Sequence, residues 1–166
     1  ACGNKYRVER EGMPEGLKIK LEQQIQIGEE LLATAENDSE KIKALLEIAF
    51  ANEQLGIFDK AIPTYKKLIE IDPNHFPALN NLGVMYEEVG EFETSAKYYG
   101  RLLEANPSNT AVFSDAIRVL ISAGKFDDAQ TNLESFARYN KDNDSLQSFI
   151  SGQFELIREA SSKESQ

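Results

Sequence analysis

The sequence predicts an all-α protein built from repeated helical hairpins, and three observations carry that prediction. Gly56, Gly90 and Gly124 recur at a spacing of 34 residues, and each is followed two positions later by a phenylalanine, Phe58, Phe92 or Phe126. Pro73 and Pro107 repeat with the same period, inside Glu70-Ile71-Asp72-Pro73-Asn74 and Glu104-Ala105-Asn106-Pro107-Ser108. Ahead of each glycine, apolar and small residues fall at i, i+3, i+4 and i+7, which lays one stripe along a helix. A chain of 166 residues with 41% hydrophobic and 28% charged residues has the balance of a folded domain rather than of a disordered segment.

Taken in order, the elements are as follows. Residues 1–13 read as a flexible tether, because the polar stretch Gly3 to Gly12 has no apolar pattern. Leu17, Leu21, Ile25, Gly28, Leu32 and Ala35 form a stripe that predicts a capping helix within 14–37. Ile19, Ile27 and Leu31 fall off that stripe; the expectation is a second face buried within the monomer, the alternative a face presented to a partner or a second copy. The repeats fill 38–143 as units 42–75, 76–109 and 110–143.

The first helix of each unit is marked by Leu45, Ile48, Ala49 and Asn52, by Leu79, Leu82, Gly83 and Tyr86, and by Phe113, Ala116, Ile117 and Leu120. Each glycine then ends its helix, since it takes the left-handed conformation at little cost. The second helices carry Ala61, Tyr65 and Leu68; Ser95, Tyr99 and Leu102; and Ala129, Leu133 and Phe136. Asn or Ser beside each proline turn is placed to cap the next helix. Leu146, Phe149, Ile150, Phe154 and Ile157 predict a second capping helix over 144–160 that covers the open apolar face of the last repeat. The tail 161–166 reads as disordered.

Charge and composition exclude several functions. Eighteen Lys and Arg stand against 28 Asp and Glu, a net charge of −10, so phosphate backbones are repelled and nucleic-acid binding is not expected. One Cys and one His build neither a metal cage nor a disulfide framework, and no metal or cofactor is expected. His75 reads as a solvated turn residue. Acidic pairs such as Glu29-Glu30, Glu87-Glu88 and Asp127-Asp128 point about 100° apart on a helix and do not converge on one pocket. With no phosphate loop, dinucleotide fingerprint or hydrolase elbow, no catalytic residues are assigned and the chain reads as a non-enzyme.

The repeat residues resemble the tetratricopeptide repeat, a 34-residue helix–turn–helix with small residues at positions 8 and 20, aromatics at 11, 17 and 24, and Pro at 32. The second unit matches best, through Leu79, Asn81-Leu82-Gly83, Tyr86, Gly90, Phe92, Tyr99 and Pro107. Ser95, Asn52, Ile117 and Lys141 depart from the pattern. The resemblance implies a right-handed superhelical solenoid of three units with capping helices at both ends, whose concave wall is formed by the first helix of each unit.

Ligand-facing positions of that wall would include Leu46, Phe50 and Glu53, then Asn80, Val84, Glu87 and Glu88, then Arg118 and Ile121. Leu46, Phe50, Val84 and Ile121 would place apolar area on a surface otherwise wet, which tends to mark an interaction site. The second unit carries five carboxylates against Lys97 and Arg101, whereas the first and third each carry five against four cations. The expected partner is therefore another protein or peptide with apolar and basic residues, with binding on the convex face or through the caps as the alternative. The cation set with which some relatives clamp acidic chaperone tails is missing: the matching positions hold Leu46, Phe50, Asn81, Ala111 and Asp115.

The start, Ala1-Cys2-Gly3-Asn4-Lys5, resembles the processed end of a bacterial lipoprotein, with the lipid on Cys2 and Gly3 in keeping with outer-membrane sorting. That resemblance implies a protein anchored in the periplasm, touching a membrane only through Cys2, since no apolar run is long enough to span one. The sequence leaves two alternatives open, a soluble cytoplasmic adaptor and a homo-oligomer, most simply a homodimer, built through the first helix.

Overall fold

The structure, a computed structural model, describes residues 6–8 and 10–164. Among them run eight helices: α1 (Glu15–Thr34), α2 (Asp38–Gln54), α3 (Phe58–Ile71), α4 (Phe76–Glu88), α5 (Phe92–Ala105), α6 (Thr110–Ser122), α7 (Phe126–Tyr139) and α8 (Asp144–Glu164). Helices α3 to α7 begin and end where the period of 34 places them, and α2 ends in the same register but starts ahead of it, at Asp38. Gly56, Gly90 and Gly124 all have left-handed backbone, with φ of 71°, 76° and 68°, and each separates the two helices of one repeat. The chain divides into two compact units at Val89–Gly90, inside the second repeat.

In the first unit α1 packs on α2, α2 on α3 and α3 on α4. Close approach of α1 to α2 depends on small residues: a Cβ on Gly28 would lie 2.7 Å from Ile48 Cγ1, and Ala44 is fully buried. The core is Leu21, Leu45, Ile48, Phe58, Ile62, Tyr65, Leu68, Leu79, Leu82, Met85 and Tyr86. Asn37 caps α2 by accepting the Glu40 amide at 3.0 Å, while the Glu40 carboxylate accepts the Glu36 amide ahead of the cap at 2.9 Å. Pro63 stands in the second turn of α3 without ending it.

In the second unit α5 packs on α6, α6 on α7, and α8 on both α6 and α7. Its core gathers Phe113, Ile117, Leu120, Ala129, Leu133, Phe136, Ile150 and Ile157. Phe113 stacks on Phe136 at 4.1 Å between ring centroids, and Phe149 meets both rings edge-on at 6.1 and 5.9 Å. The loop ahead of α8 is held by Asn140, which is buried and donates to the Phe136 carbonyl at 2.9 Å while accepting from the Ser108 hydroxyl at 2.6 Å.

Four expectations are corrected. The segment read as a flexible tether over 1–13 instead docks in part: Arg7 forms an antiparallel bridge with Ile57. The tail read as disordered from 161 continues α8 to Glu164. The second apolar face of α1 is not buried within the monomer, for Ile19, Ile27 and Leu31 are 46%, 57% and 45% exposed, and Leu17 at the start of the main stripe is exposed as well. His75 is no free turn residue; its Nδ1 accepts the Ala78 amide at 3.3 Å and caps α4, the role expected of the neighbouring Asn74. Cys2 lies outside the described residues.

Candidate functional site

The predicted groove residues separate by unit. On α2, Leu46 is half-buried and Phe50, one turn on, is 42% exposed. An apolar ring left in water at that level is one of the larger exposed side chains of the unit. On α4, Asn80, Val84 and Glu87 are half-buried and Glu88 is exposed. These six positions, with Glu53, all belong to the first unit. In the second unit Arg118 is exposed and pairs with Asp115 at 2.7 Å, one turn away on the same helix. Ile121 is half-buried because it packs on the core around Phe113 and Phe136, so part of its apolar surface is committed to the fold.

What joins the end of α2 to the middle of α4 is a hydrogen-bonded chain that the sequence did not announce. Tyr65, fully buried on α3, donates its hydroxyl to Glu53 Oε2 at 2.7 Å and accepts from Asn81 Nδ2 at 2.7 Å. Glu53 is thereby drawn inward, and burial raises its carboxyl above the ordinary value of 4.5, with the charge of Glu88 pushing the same way. Arg10 and the bonds from Tyr65 and Asn81 work against that rise. Burial likewise drives the Tyr65 hydroxyl upward, helped by the Glu53 charge. The site thus presents carboxylates of Glu53 and Glu88 at one end and the Phe50 ring farther back along α2.

The N-terminal segment closes that end. Val8 donates its amide to the Gly56 carbonyl at 2.9 Å, and Asp59 donates its amide to the Tyr6 carbonyl at 2.9 Å. Tyr6 meets Tyr86 edge-on at 6.3 Å, and Lys66 lies over the same Tyr86 ring at 5.5 Å. Arg10 pairs with Glu88 at 3.2 Å and lies over the Phe58 ring at 5.4 Å. An open cleft of about 600 Å³ is bounded by Arg10 to Pro14 and Leu17 on one side and by Glu53, Gln54 and Glu88 on the other. Tyr6, Arg7, Val8 and Arg10 are the part of the site that sequence reasoning missed. The signal was the alternation of Tyr6, Val8 and Arg10, too short to stand out.

Among the described residues no group of three or more His, Cys, Asp or Glu could hold a metal ion. None of the described helices is long and apolar enough to cross a membrane.

Eight helices among the described residues, with a glycine turn between α2 and α3, α4 and α5, and α6 and α7, define a helical-repeat protein. Comparison with known proteins matches the tetratricopeptide repeat over residues 42–75 and again over residues 64–97. The chain thus contains tetratricopeptide repeats within 42–97. No match was found among curated proteins. Among solved structures it is similar to a double mutant of MamA from strain RS-1, at 13% identity and a TM-score of 0.61, over 92% of this chain and 98% of that one. It is also similar to a further MamA crystal structure, at 17% identity and a TM-score of 0.60, over 91% and 94%. A mutant O-GlcNAc transferase from Thermobaculum terrenum matches at 23% identity and a TM-score of 0.50, over 66% of this chain but 21% of the enzyme. At these identities the likeness is one of fold, all-α and of tetratricopeptide type.

Proposed function

We propose that the chain is a non-catalytic scaffold or assembly factor that holds a segment of another protein against the surface formed by α2 and α4. The observation that carries this reading is Phe50, 42% exposed on a helix whose C-terminal end carries the acidic Glu53. Leu46 and Val84 extend the apolar surface, while Glu53, Glu87 and Glu88 favour Lys or Arg on the partner. Asn80 supplies an amide for the partner's backbone. Arg118 and Ile121 offer a separate contact on the second unit. The family fold, used widely for protein binding, supports a binding role.

The test is capture of a cross-linked partner by the full chain and by Phe50→Glu and Val84→Glu variants. Expected is loss of capture by more than tenfold with unchanged helicity. Unchanged capture by correctly folded variants refutes the groove.

We also propose that the protein is held at the bacterial outer membrane, facing the periplasm, by a lipid on Cys2. This rests on the run Ala1-Cys2-Gly3 and on the polar stretch behind it. Intact mass of the protein extracted from its own cells with detergent decides it. A gain of two or three fatty acyl chains at Cys2 supports the anchor, and an unmodified chain in the soluble fraction leaves a cytoplasmic adaptor. The exposed face of α1 favours a second reading, in which Leu17, Ile19, Ile27 and Leu31 join two copies. Light scattering over a dilution series, repeated on Ile27→Lys, separates a dimer from a monomeric adaptor.

A further inference from the structure

The three turns that end in Gly-x-Phe provide an internal comparison. Gly56, Gly90 and Gly124 share one backbone conformation, and α3, α5 and α7 each start without a side-chain cap. Helix starts of this kind leave amides needing partners. At the first turn the partner is the chain itself. The Tyr6 carbonyl takes the Asp59 amide, the Val8 amide reaches the Gly56 carbonyl, and a Cβ on Gly56 would collide with the Val8 carbonyl oxygen. Gly56 and Phe58 are buried there. At the second and third turns Gly90 and Gly124 are exposed and Phe92 and Phe126 only half-buried. Open clefts of about 470 Å³ at Gly90 and about 360 Å³ at Gly124 stand beside them.

Tyr6, Arg7, Val8 and Arg10 lie on the first turn as a bound peptide would. At Arg7 the chain pairs as a strand does, and the residues on either side of a strand position face the same way. Tyr6 and Val8 are half-buried and Arg7 is exposed. Tyr6 reaches Tyr86, and Arg10 reaches both Glu88 and Phe58. Backbone pairing supplies attachment without regard to sequence, and the alternate side chains supply the selection, the logic of strand addition. The cation on Glu88 is the charge that the acidic end of α2 and α4 calls for.

We propose that residues 6–10 are a ligand in cis, and that the first turn with the ends of α2 and α4 accepts an extended segment of a partner protein bearing an aromatic residue, an apolar residue and an arginine at alternate positions. The partner's segment takes the place of Tyr6, Val8 and Arg10 by exchange. This deepens the reading of the acidic surface as a site for basic partners and rests on it. Four residues separate Arg10 from the start of α1 at Glu15. So short a link gives the segment an effective concentration on the order of millimolar, so a free peptide competes poorly until the segment is loosened.

The experiment uses the full chain carrying Tyr6→Ser and Arg10→Ser, with a synthetic peptide of residues 4–12 as probe. Backbone amide signals of Gly56, Ile57 and Asp59 are followed by NMR. Expected are shifts of those signals in the variant, their return toward native positions on adding peptide, and binding at least about tenfold tighter than to the unaltered chain. Glu88→Gln in the variant weakens the peptide about threefold or more. Absence of saturable binding up to several millimolar peptide overturns the proposal, as does equal binding to variant and unaltered chain.

If the double variant fails to fold, hydrogen exchange of the Asp59 amide in the unaltered chain decides. Exchange much faster than that of amides in the middle of α3 supports a displaceable segment, and exchange as slow as theirs overturns it. Phe50 is not among the residues that hold the segment, so the peptide titration repeated on Phe50→Glu separates this proposal from the groove reading. Loss of partner capture with intact peptide binding supports both. Peptide binding that persists when capture is indifferent to Phe50 leaves the exchange site standing without the groove.

Discussion

The turn at Gly56 and the turn at Gly124 are built from the same local pattern and end in different surroundings. Both have glycine in left-handed backbone and phenylalanine two residues on, opening a helix. At the first, the glycine is buried and Phe58 is fully out of water beneath Arg10; at the other, Gly124 is exposed and Phe126 half-buried. The difference teaches that the repeat determines the shape of the turn, while a segment from elsewhere in the chain determines whether the turn is surface or core. The same holds for the tyrosine at the repeat-equivalent position of α3 and α5. Tyr65 is locked between Glu53 and Asn81. Burial pushes both hydroxyls up, that of Tyr99 to about 12, where the charge of Asp115 adds to the rise and a bond to Ser95 opposes it.

The comparison is broken most forcefully at the phenylalanines. Phe58→Ala should cost about 3–5 kcal/mol, as for a fully buried ring, whereas Phe126→Ala should cost less than half of that. Urea unfolding of the two variants reads the difference, and equal losses would mean that Phe58 is not covered by residues 6–10. Next in size is Tyr65→Phe. It leaves Glu53 and Asn81 without their shared hydroxyl, for a loss of about 1–3 kcal/mol by the same measurement, and Asn81→Ala on that background should add little.

The glycines test the turn itself. Gly90→Ala places a side chain in left-handed backbone with nothing within 4 Å of the new Cβ, so it should cost only the conformational term of about 1–2 kcal/mol. Gly56→Ala adds the collision with Val8 and should cost more, with the Asp59 amide losing protection against hydrogen exchange. An equal cost at both sites with Asp59 still protected would contradict the docked position of residues 6–10.

The smallest expected effect sharpens the picture through pH. Burial raises the Glu53 carboxyl above its ordinary 4.5, so the folded state binds this proton more tightly than the unfolded chain does. Its stabilising contribution is therefore complete below 4.5 and is lost as the pH rises through the folded-state value. Glu53→Gln should flatten the decline in thermal stability over that interval. Asp115, raised by burial from 3.8, leaves a residual slope of the same sign beginning at lower pH. A slope unchanged by Glu53→Gln would place the titration elsewhere.

Much of the fold was legible because a repeat states each local rule three times. The glycine turns, the six repeat helices and the core positions Tyr65, Tyr99, Leu82 and Leu133 all follow from the period and the apolar stripes. The role of His75 was not legible, since Asn74 is the better cap by intrinsic preference and only the packed loop brings the imidazole nitrogen to the Ala78 amide. Nor was Asn52, which stands where the repeat favours an aromatic. It is buried and turns its amide onto the Ile48 carbonyl at 2.8 Å, which no periodicity announces. Of the candidate site, Phe50 and Glu88 were placed at the surface from position alone. The inward turn of Glu53 and the partial burial of Ile121 depended on what packed against them.

By itself the sequence determined the all-α class, the register of the repeats and the acidic character, because these depend on short-range periodicity and on counting charges. Only the tertiary structure decided that residues 6–8 form a bridge at the first turn, that Arg10 meets Glu88 across 78 positions of sequence, and that one face of α1 stays in water. The physical reason is that a bridge this short leaves too few alternating residues to read as a strand. An apolar residue off the main stripe, for its part, is buried or exposed according to whether another element arrives to cover it.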